Sequence, residues 1–198
     1  HTQSLKFRWQ QLDVLRRAIV HYENRIINAL QSDLGKPSLE AYASEIAFCF
    51  DEIEMMRKNL RKWARPKRQR VPAIQQFARA QWHHQPYGHV LILSPWNYPF
   101  QLLVSPLIGA MAAGNVITLK PSELAPATAQ VVSDMIQENF DPGYVQVFQG
   151  GPEVSQKLLQ ERFDYIFFTG SEKIGQIVLT EAAKHLTPCT LELGGKSP

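Results

Sequence analysis

Four short stretches carry residue types that can do chemistry, and all of them lie beyond residue 90. In Leu91 to Pro99, LILSPWNYP, the Asn97 side-chain amide can donate to a developing oxyanion. A turn or helix-start residue would look the same. Lys120 is the first formal charge after thirty uncharged residues from Val90 to Leu119, and Pro121-Ser122-Glu123 follow it. A cation and a carboxylate three residues apart suit a nucleotide's phosphate and ribose, the carboxylate accepting from both ribose hydroxyls. A surface ion pair at a strand exit fits the spacing equally well. Thr169-Gly170-Ser171, with Gly175 four residues after Ser171, makes a relaxed turn opening a helix. Free N–H groups and the helix dipole attract phosphate there, although an ordinary capped helix gives the same pattern. In LELGGKSP, strand alternation puts Cys189, Leu191 and Leu193 on one face and Glu192 on the other. Gly194-Gly195 then lets the chain turn, leaving Glu192 as a general base whose pKa an apolar strand mouth would raise. The alternative is a strand Glu facing solvent. The GGKS tail resembles a P-loop ending, but G-x-x-x-x-G-K-S needs glycine where Thr190 stands.

The elements that must position these groups follow from the hydrophobic pattern. Thirty uncharged residues exceed the length of a membrane span, but Pro95, Pro99, Pro106, Gly109 and Gly114 interrupt them too often for one lipid-facing helix. The run is predicted to be strand Val90 to Leu93, a loop with Trp96 and Asn97, a helix over Pro99 to Ala113, and strand Val116 to Leu119. That βαβ unit puts Asn97 just past a strand's carboxyl end, where open α/β sheets bind ligands. A helix after Pro126 to about Asn139 comes next, then strand Tyr144 to Phe148. A short helix opened by Gly150-Gly151-Pro152 follows, with strands Tyr165 to Phe168 and Thr190 to Leu193 completing the pattern. Strands alternating with helices predict a doubly wound, mostly parallel, Rossmann-like sheet with right-handed crossovers.

Upstream, Leu12, Leu15, Ile19, Tyr22, Ile26 and Leu30 form one apolar stripe on a helix that Gly35 ends. Ile46, Phe50, Ile53, Leu60 and Trp63 repeat it on a second helix stopped by Pro66, with Met55 and Met56 filling gaps. Val71 to Tyr87 loses the period, and Gln81, Trp82, His83, His84 and Gln85 suit an exposed ribbon. His83-His84 could bind metal, but neighbours on a strand point to opposite faces, so a polar edge or subunit contact is preferred. The expected organisation is N-terminal helices over 1–70, a ribbon over 71–88 and a nucleotide-binding domain over 89–198.

Composition bounds the rest. Hydrophobic content of 44% and charged content of 20% describe an ordinary globular chain with a net charge of +3. Eight of the 21 basic residues crowd between Arg57 and Arg70 with no acidic one. A nucleic-acid or anionic-membrane footprint is one reading, and a solvated helix face is the commoner one. Without aromatic interleaving beyond Trp63, no nucleic-acid partner is expected. Cys49 and Cys189 form neither a disulfide framework nor a metal pattern, so a reducing, cytoplasmic compartment and no metal are expected. No secretory signal is visible at the polar start. His1 and Pro198 are read as cut ends.

Taken together and in order, PWNYP, LKPSE, FFTGS and LELGGKSP resemble the aldehyde dehydrogenase superfamily over nearly the whole chain. The short front and the LTPCTLELGGKSP run look most like the class 3 branch, which includes the fatty aldehyde enzymes. The resemblance implies Asn97 as oxyanion donor, Glu192 as general base, and Lys120 with Glu123 as adenosine-ribose contacts. It implies further cofactor contacts at Ser94, Trp96, Ser122, Gly150, Thr169, Gly170, Ser171, Gly175, Leu193 and Gly194. The cofactor would be NAD, with NADP possible, and the substrate a small-molecule aldehyde. The family chemistry is nucleophilic: a Cys thiolate adds to the aldehyde, hydride leaves, and a water activated by Glu releases the acid. A homodimer assembled through the ribbon is implied as well. Neither Cys49 nor Cys189 sits where that nucleophile belongs, so a catalytic domain outside this chain is expected to supply it. A nucleotide-binding or assembly module without chemistry is the competing reading.

Overall fold

The structure, a computed structural model, describes residues 2–75 and 77–195; the Lys196-Ser197-Pro198 end of the LELGGKSP stretch lies outside them. Helix α1 (Leu5–Leu34) starts where the Ser4 hydroxyl accepts from the Phe7 N–H at 3.1 Å. It ends at Gly35, whose φ of 68° is open to glycine and strained for most residues. Its predicted stripe of Leu12, Leu15, Ile19, Tyr22, Ile26 and Leu30 is buried.

The second helix is interrupted. Helix α2 (Ser38–Ala41) runs through a π-helical turn over Tyr42–Ile46 into α3 (Ala47–Trp63). Ile46, Ile53 and Leu60 are buried as predicted, whereas Met55 and Trp63 are 46% and 43% exposed. Among the described residues α3 packs mainly against α1, α4 and the π-turn, which leaves Met55 and Trp63 on its open side. Arg57 and Lys58, which open the basic run, pair with acidic neighbours on the helical surface: Arg57 with Asp13 at 3.0 Å, Lys58 with Glu54 at 3.4 Å.

The ribbon is an antiparallel pair, β1 (Lys67–Gln69) against β2 (Ala80–Trp82). It therefore begins ahead of residue 71, because Lys67 is the partner of Trp82. Phe77, Trp82 and Tyr87 are exposed, with Tyr87 stacked on Tyr165 at 4.3 Å between ring centroids. His83 lies 3.2 Å from the Gln81 amide oxygen, and no metal-ligand cluster occurs among the described residues.

The main sheet holds five strands: β3 (His89–Leu93), β4 (Val116–Lys120), β5 (Val145–Val147), β6 (Tyr165–Gly170) and β7 (Cys189–Leu193). They run parallel in the order β5-β4-β3-β6-β7. The connections carry α4 (Gln101–Ala113), α5 (Pro126–Asn139), α6 (Pro152–Gln160) and α7 (Glu172–Lys184). Val90 and Ile92 join Ile117, Leu119 and Val145 in one core with α1, α3, α4 and α5. Leu91 and Leu93 join Ile166 and Phe168 in a second core under α6 and α7. The strand that opens the uncharged run is thus buried on both faces, as its lack of alternation predicts. Pro106 sits inside α4 rather than breaking it. No described helix is long and apolar enough to cross a membrane.

Candidate active site

Counting from β3, the strand order is 3-2-1-4-5, that of a doubly wound dinucleotide-binding sheet. The chain leaves β3 for α4 on one face and leaves β6 for α7 on the other. The carboxyl ends of these neighbouring strands therefore open a crevice between them, and two adjoining cavities occupy it.

The larger, of about 710 Å³, is lined by Asn97, Trp96, Thr169, Gly170, Ser171, Glu192 and Leu193. Leu102, Ser105 and Pro106 of α4, with Phe167 of β6, form a mostly apolar wall of the same cleft. Sequence reasoning missed this wall, although its residues follow PWNYP at helical spacing. Asn97 and Glu192 are both exposed at the cleft. The predicted alternation holds in β7: Cys189 and Leu191 pack into the α6–α7 core, and Glu192 pairs in register with Thr169.

The smaller cavity, of about 350 Å³, lies between β3, β4, β6 and helices α6 and α7. Ser94, Trp96, Lys120, Ser122, Glu123, Thr169, Gly170 and Ser171 all line it. Lys120 is only 4% exposed and donates to Glu123 at 2.6 Å, a pair whose cation is buried and whose carboxylate reaches the surface. Burial pushes the Glu123 carboxyl up, but the Lys120 hydrogen bond and charge outweigh it and hold the group below the usual carboxylate range. The Ser94 hydroxyl is buried beside this cavity without a hydrogen-bond partner. Ser171 caps α7 by accepting from the Ile174 N–H at 3.4 Å, so the helix N-terminus faces the cavity. Pro152, Ile174 and Ile177 add apolar lining. Exposed Ile174 and Ile177 just after a glycine turn were the available sequence signal.

Three predicted cofactor residues line neither cavity. Gly175 acts on packing instead: a Cβ there would come within 2.8 Å of a Leu193 methyl, so glycine lets α7 approach β7. Gly150, at φ 137°, shapes the turn into α6, and Gly194 is an exposed residue after β7. A cleft with a helix N-terminus, a buried cation, a carboxylate and an orphaned hydroxyl fits a dinucleotide's ribose and phosphates.

A buried ion pair stands behind Asn97, and sequence reasoning missed it. Glu45, fully buried on the π-turn, accepts from the Lys36 ammonium at 2.5 Å. Its other oxygen accepts the Phe100 and Gln101 N–H groups at 2.9 and 3.1 Å, capping α4. Lys36 also donates to the Asn97 carbonyl at 3.1 Å and stands 3.9 Å over the Tyr98 ring. Burying a carboxylate costs several kcal/mol unless such partners offset it. The signal was Ala41, Glu45 and Cys49 at a spacing of four, a charge on the buried stripe.

The comparisons agree with this fold. Residues 2–198 match the aldehyde dehydrogenase family, and the chain belongs to it. Over 197 residues it is 48% identical to the 4,4'-diaponeurosporen-aldehyde dehydrogenase of Staphylococcus aureus, covering 100% of this chain and 43% of that protein. Aldehyde dehydrogenase family 3 member B3 of Mus musculus is 44% identical, with 100% and 41% covered. Among solved structures, Staphylococcus aureus AldH in a substrate-bound state superposes with a TM-score of 0.98 at 47% identity, covering 100% of this chain and 43% of that one. The Mycobacterium tuberculosis aldehyde dehydrogenase complexed with NAD+ gives 0.83 at 26% identity, with 96% and 39% covered. The chain therefore spans less than half the length of these relatives.

Both thiols are poor nucleophiles. Burial, then the Glu52 and Glu45 carboxylates, push the fully buried Cys49 up; burial alone pushes Cys189 up. Iodoacetamide at pH 7.5, followed by peptide mapping, should leave Cys49 unlabelled in the native protein and label Cys189 slowly. Both should react fully in denaturant; prompt native labelling of Cys49 would contradict the burial.

Proposed function

We propose that the full-length protein oxidises an aldehyde to a carboxylic acid, with the aldehyde in the larger cavity and NAD or NADP in the smaller. The observation that carries this reading is the shared boundary of the two cavities. Trp96, Thr169, Gly170 and Ser171 line both, so a group bound in one lies against a group bound in the other. The bound nicotinamide would supply a hydride acceptor. Asn97 would donate its amide to the carbonyl oxygen as a nucleophile adds, stabilising charge that develops only near the transition state. That nucleophile would come from outside the described residues, since Cys49 and Cys189 are unsuited to the role. Glu192, exposed at the cleft, would take a proton from the water that releases the acid.

Rapid-mixing measurement of NADH formation by the full-length protein separates the two polar groups. Asn97→Ala should slow the first turnover by about 10²–10³, the usual cost of one oxyanion donor, and leave cofactor affinity unchanged. Glu192→Gln should keep a first burst of NADH while steady-state turnover collapses. Normal steady-state turnover in Glu192→Gln would make Glu192 only a strand residue.

Cofactor preference should lean to NAD. Glu123 would accept from a 2′-hydroxyl and repel a 2′-phosphate, a like-charge contact of at most a few kcal/mol near a surface. Lys120, at 2.6 Å from Glu123, softens that discrimination. Glu123→Gln should raise the NADP/NAD ratio of kcat/KM; an unchanged ratio would remove Glu123 from cofactor selection.

Dimerisation through the β1–β2 ribbon completes the proposal, motivated by Phe77 at 96% and Trp82 at 63% exposure. Trp82→Glu should shift the full-length protein to a smaller mass in light scattering. An unchanged mass would argue against the ribbon.

A further inference from the structure

We propose that the Lys36–Glu45 ion pair is a positioning device for Asn97, holding the loop between β3 and α4 so that the Asn97 amide faces the cleft. This rests on the reading of Asn97 as the oxyanion donor. The loop has little to fix it from within. Phe100, at the N-cap of α4, has no side chain able to cap, and Asn97 and Tyr98 are exposed.

The constraint comes from 55 to 61 residues earlier in the chain, through three hydrogen bonds to the loop and helix and a fourth that ties the pair together. Two run from the Phe100 and Gln101 N–H groups to one Glu45 oxygen, at 2.9 and 3.1 Å. One runs from Lys36 to the other Glu45 oxygen at 2.5 Å, and one from Lys36 to the Asn97 carbonyl at 3.1 Å. The Tyr98 ring, 3.9 Å from the ammonium, adds a contact on the loop's outer side. The pair thus grips both the residue that carries the amide and the first turn of the helix behind it.

The local backbone is built for this. Glu45 reaches α4 from a π-helical turn, whose Ala47 N–H bonds back to the Tyr42 carbonyl, and such turns recur at functional sites. Gly35 ends α1 in the left-handed region, which turns Lys36 inward to a position only 8% exposed. Neither residue lines either cavity, so they act through Asn97 and do not touch substrate.

The test is a double-mutant cycle in the full-length protein, read as the first-turnover rate of NADH formation. Lys36→Met should slow that turnover by about 10–100-fold, the scale of a small misplacement of a reacting group. In an Asn97→Ala background the same substitution should cost less than about 3-fold, because the group it positions is gone. NAD affinity by calorimetry should be unchanged by Lys36→Met. A role confined to folding would depress both backgrounds alike, so equal losses, or no loss beside native Asn97, overturn the proposal. If Asn97→Ala itself leaves the first turnover unchanged, the oxyanion reading fails and the positioning role falls with it. Lys36→Met strands a buried carboxylate, so the paired variant Lys36→Met/Glu45→Gln is run beside it. Its amide oxygen still accepts the Phe100 and Gln101 N–H groups while the hold on the Asn97 carbonyl is lost. Should Lys36→Met not fold, the paired variant is judged by the same two criteria.

Discussion

Everything in the candidate site depends on the parallel pairing of β3 with β6. Val90 to Leu93 pair in register with Tyr165 to Phe168, and the chain departs from the two strands to opposite faces of the sheet. Neither α4 nor α7 can then cover the gap between the strand ends, so a cleft is unavoidable. The pairing also decides what borders it. Asn97 follows β3, Thr169 and Gly170 end β6 with Ser171 just beyond, Lys120 ends the neighbouring β4, and Glu192 is the penultimate residue of the neighbouring β7.

The two cavities differ in how their polar groups are supported. Lys120 and Ser94 are held by the sheet itself: the Ser94 N–H donates to the Lys120 carbonyl at 3.2 Å, and Lys120 is almost wholly buried. Asn97 and Glu192 stand exposed beyond the sheet. On the proposed function, a group that grips a ribose would be served by a fixed charge, because its partner would always be the same. The groups facing the larger cleft rest on one brace, the Lys36–Glu45 pair, and on the exit of an edge strand.

The sheet and its helices were legible because their signals are local. An uncharged run cut by Pro and Gly reads as a buried strand, a turn and a helix, and stripes at spacings of three and four read as α1 and α3. The residues that miss the expected burial, Met55 and Trp63, miss it because packing width on a helix is set by its neighbours, which no local period reports. The placement of the candidate residues at strand ends was legible for the same reason as the strands. The α4 wall of Leu102, Ser105 and Pro106 was not, since which side of a buried helix borders a cleft depends on where β6 and β7 dock. The Lys36–Glu45 pair joins a helix stop to a π-turn and then to a loop far along the chain. Its charge on an apolar stripe was visible, and its partners were not.

The strand order has a consequence for how the molecule is assembled. The sheet starts from its middle strand, lays β4 and β5 outward on one side, and only then returns to β3 to add β6 and β7 on the other. The first side closes through neighbouring segments, whereas joining residues 90 and 165 requires a long loop of chain to come back, which slows folding. A chain collapsed around the α1, α4 and α5 core but still lacking that second side would already carry Asn97 on its braced loop. It would have no cleft for Asn97 to face, and the Leu91 and Leu93 side chains would stand open to water. The strands that wall the crevice on that side, β6 and β7, are thus the same ones that cover the second core.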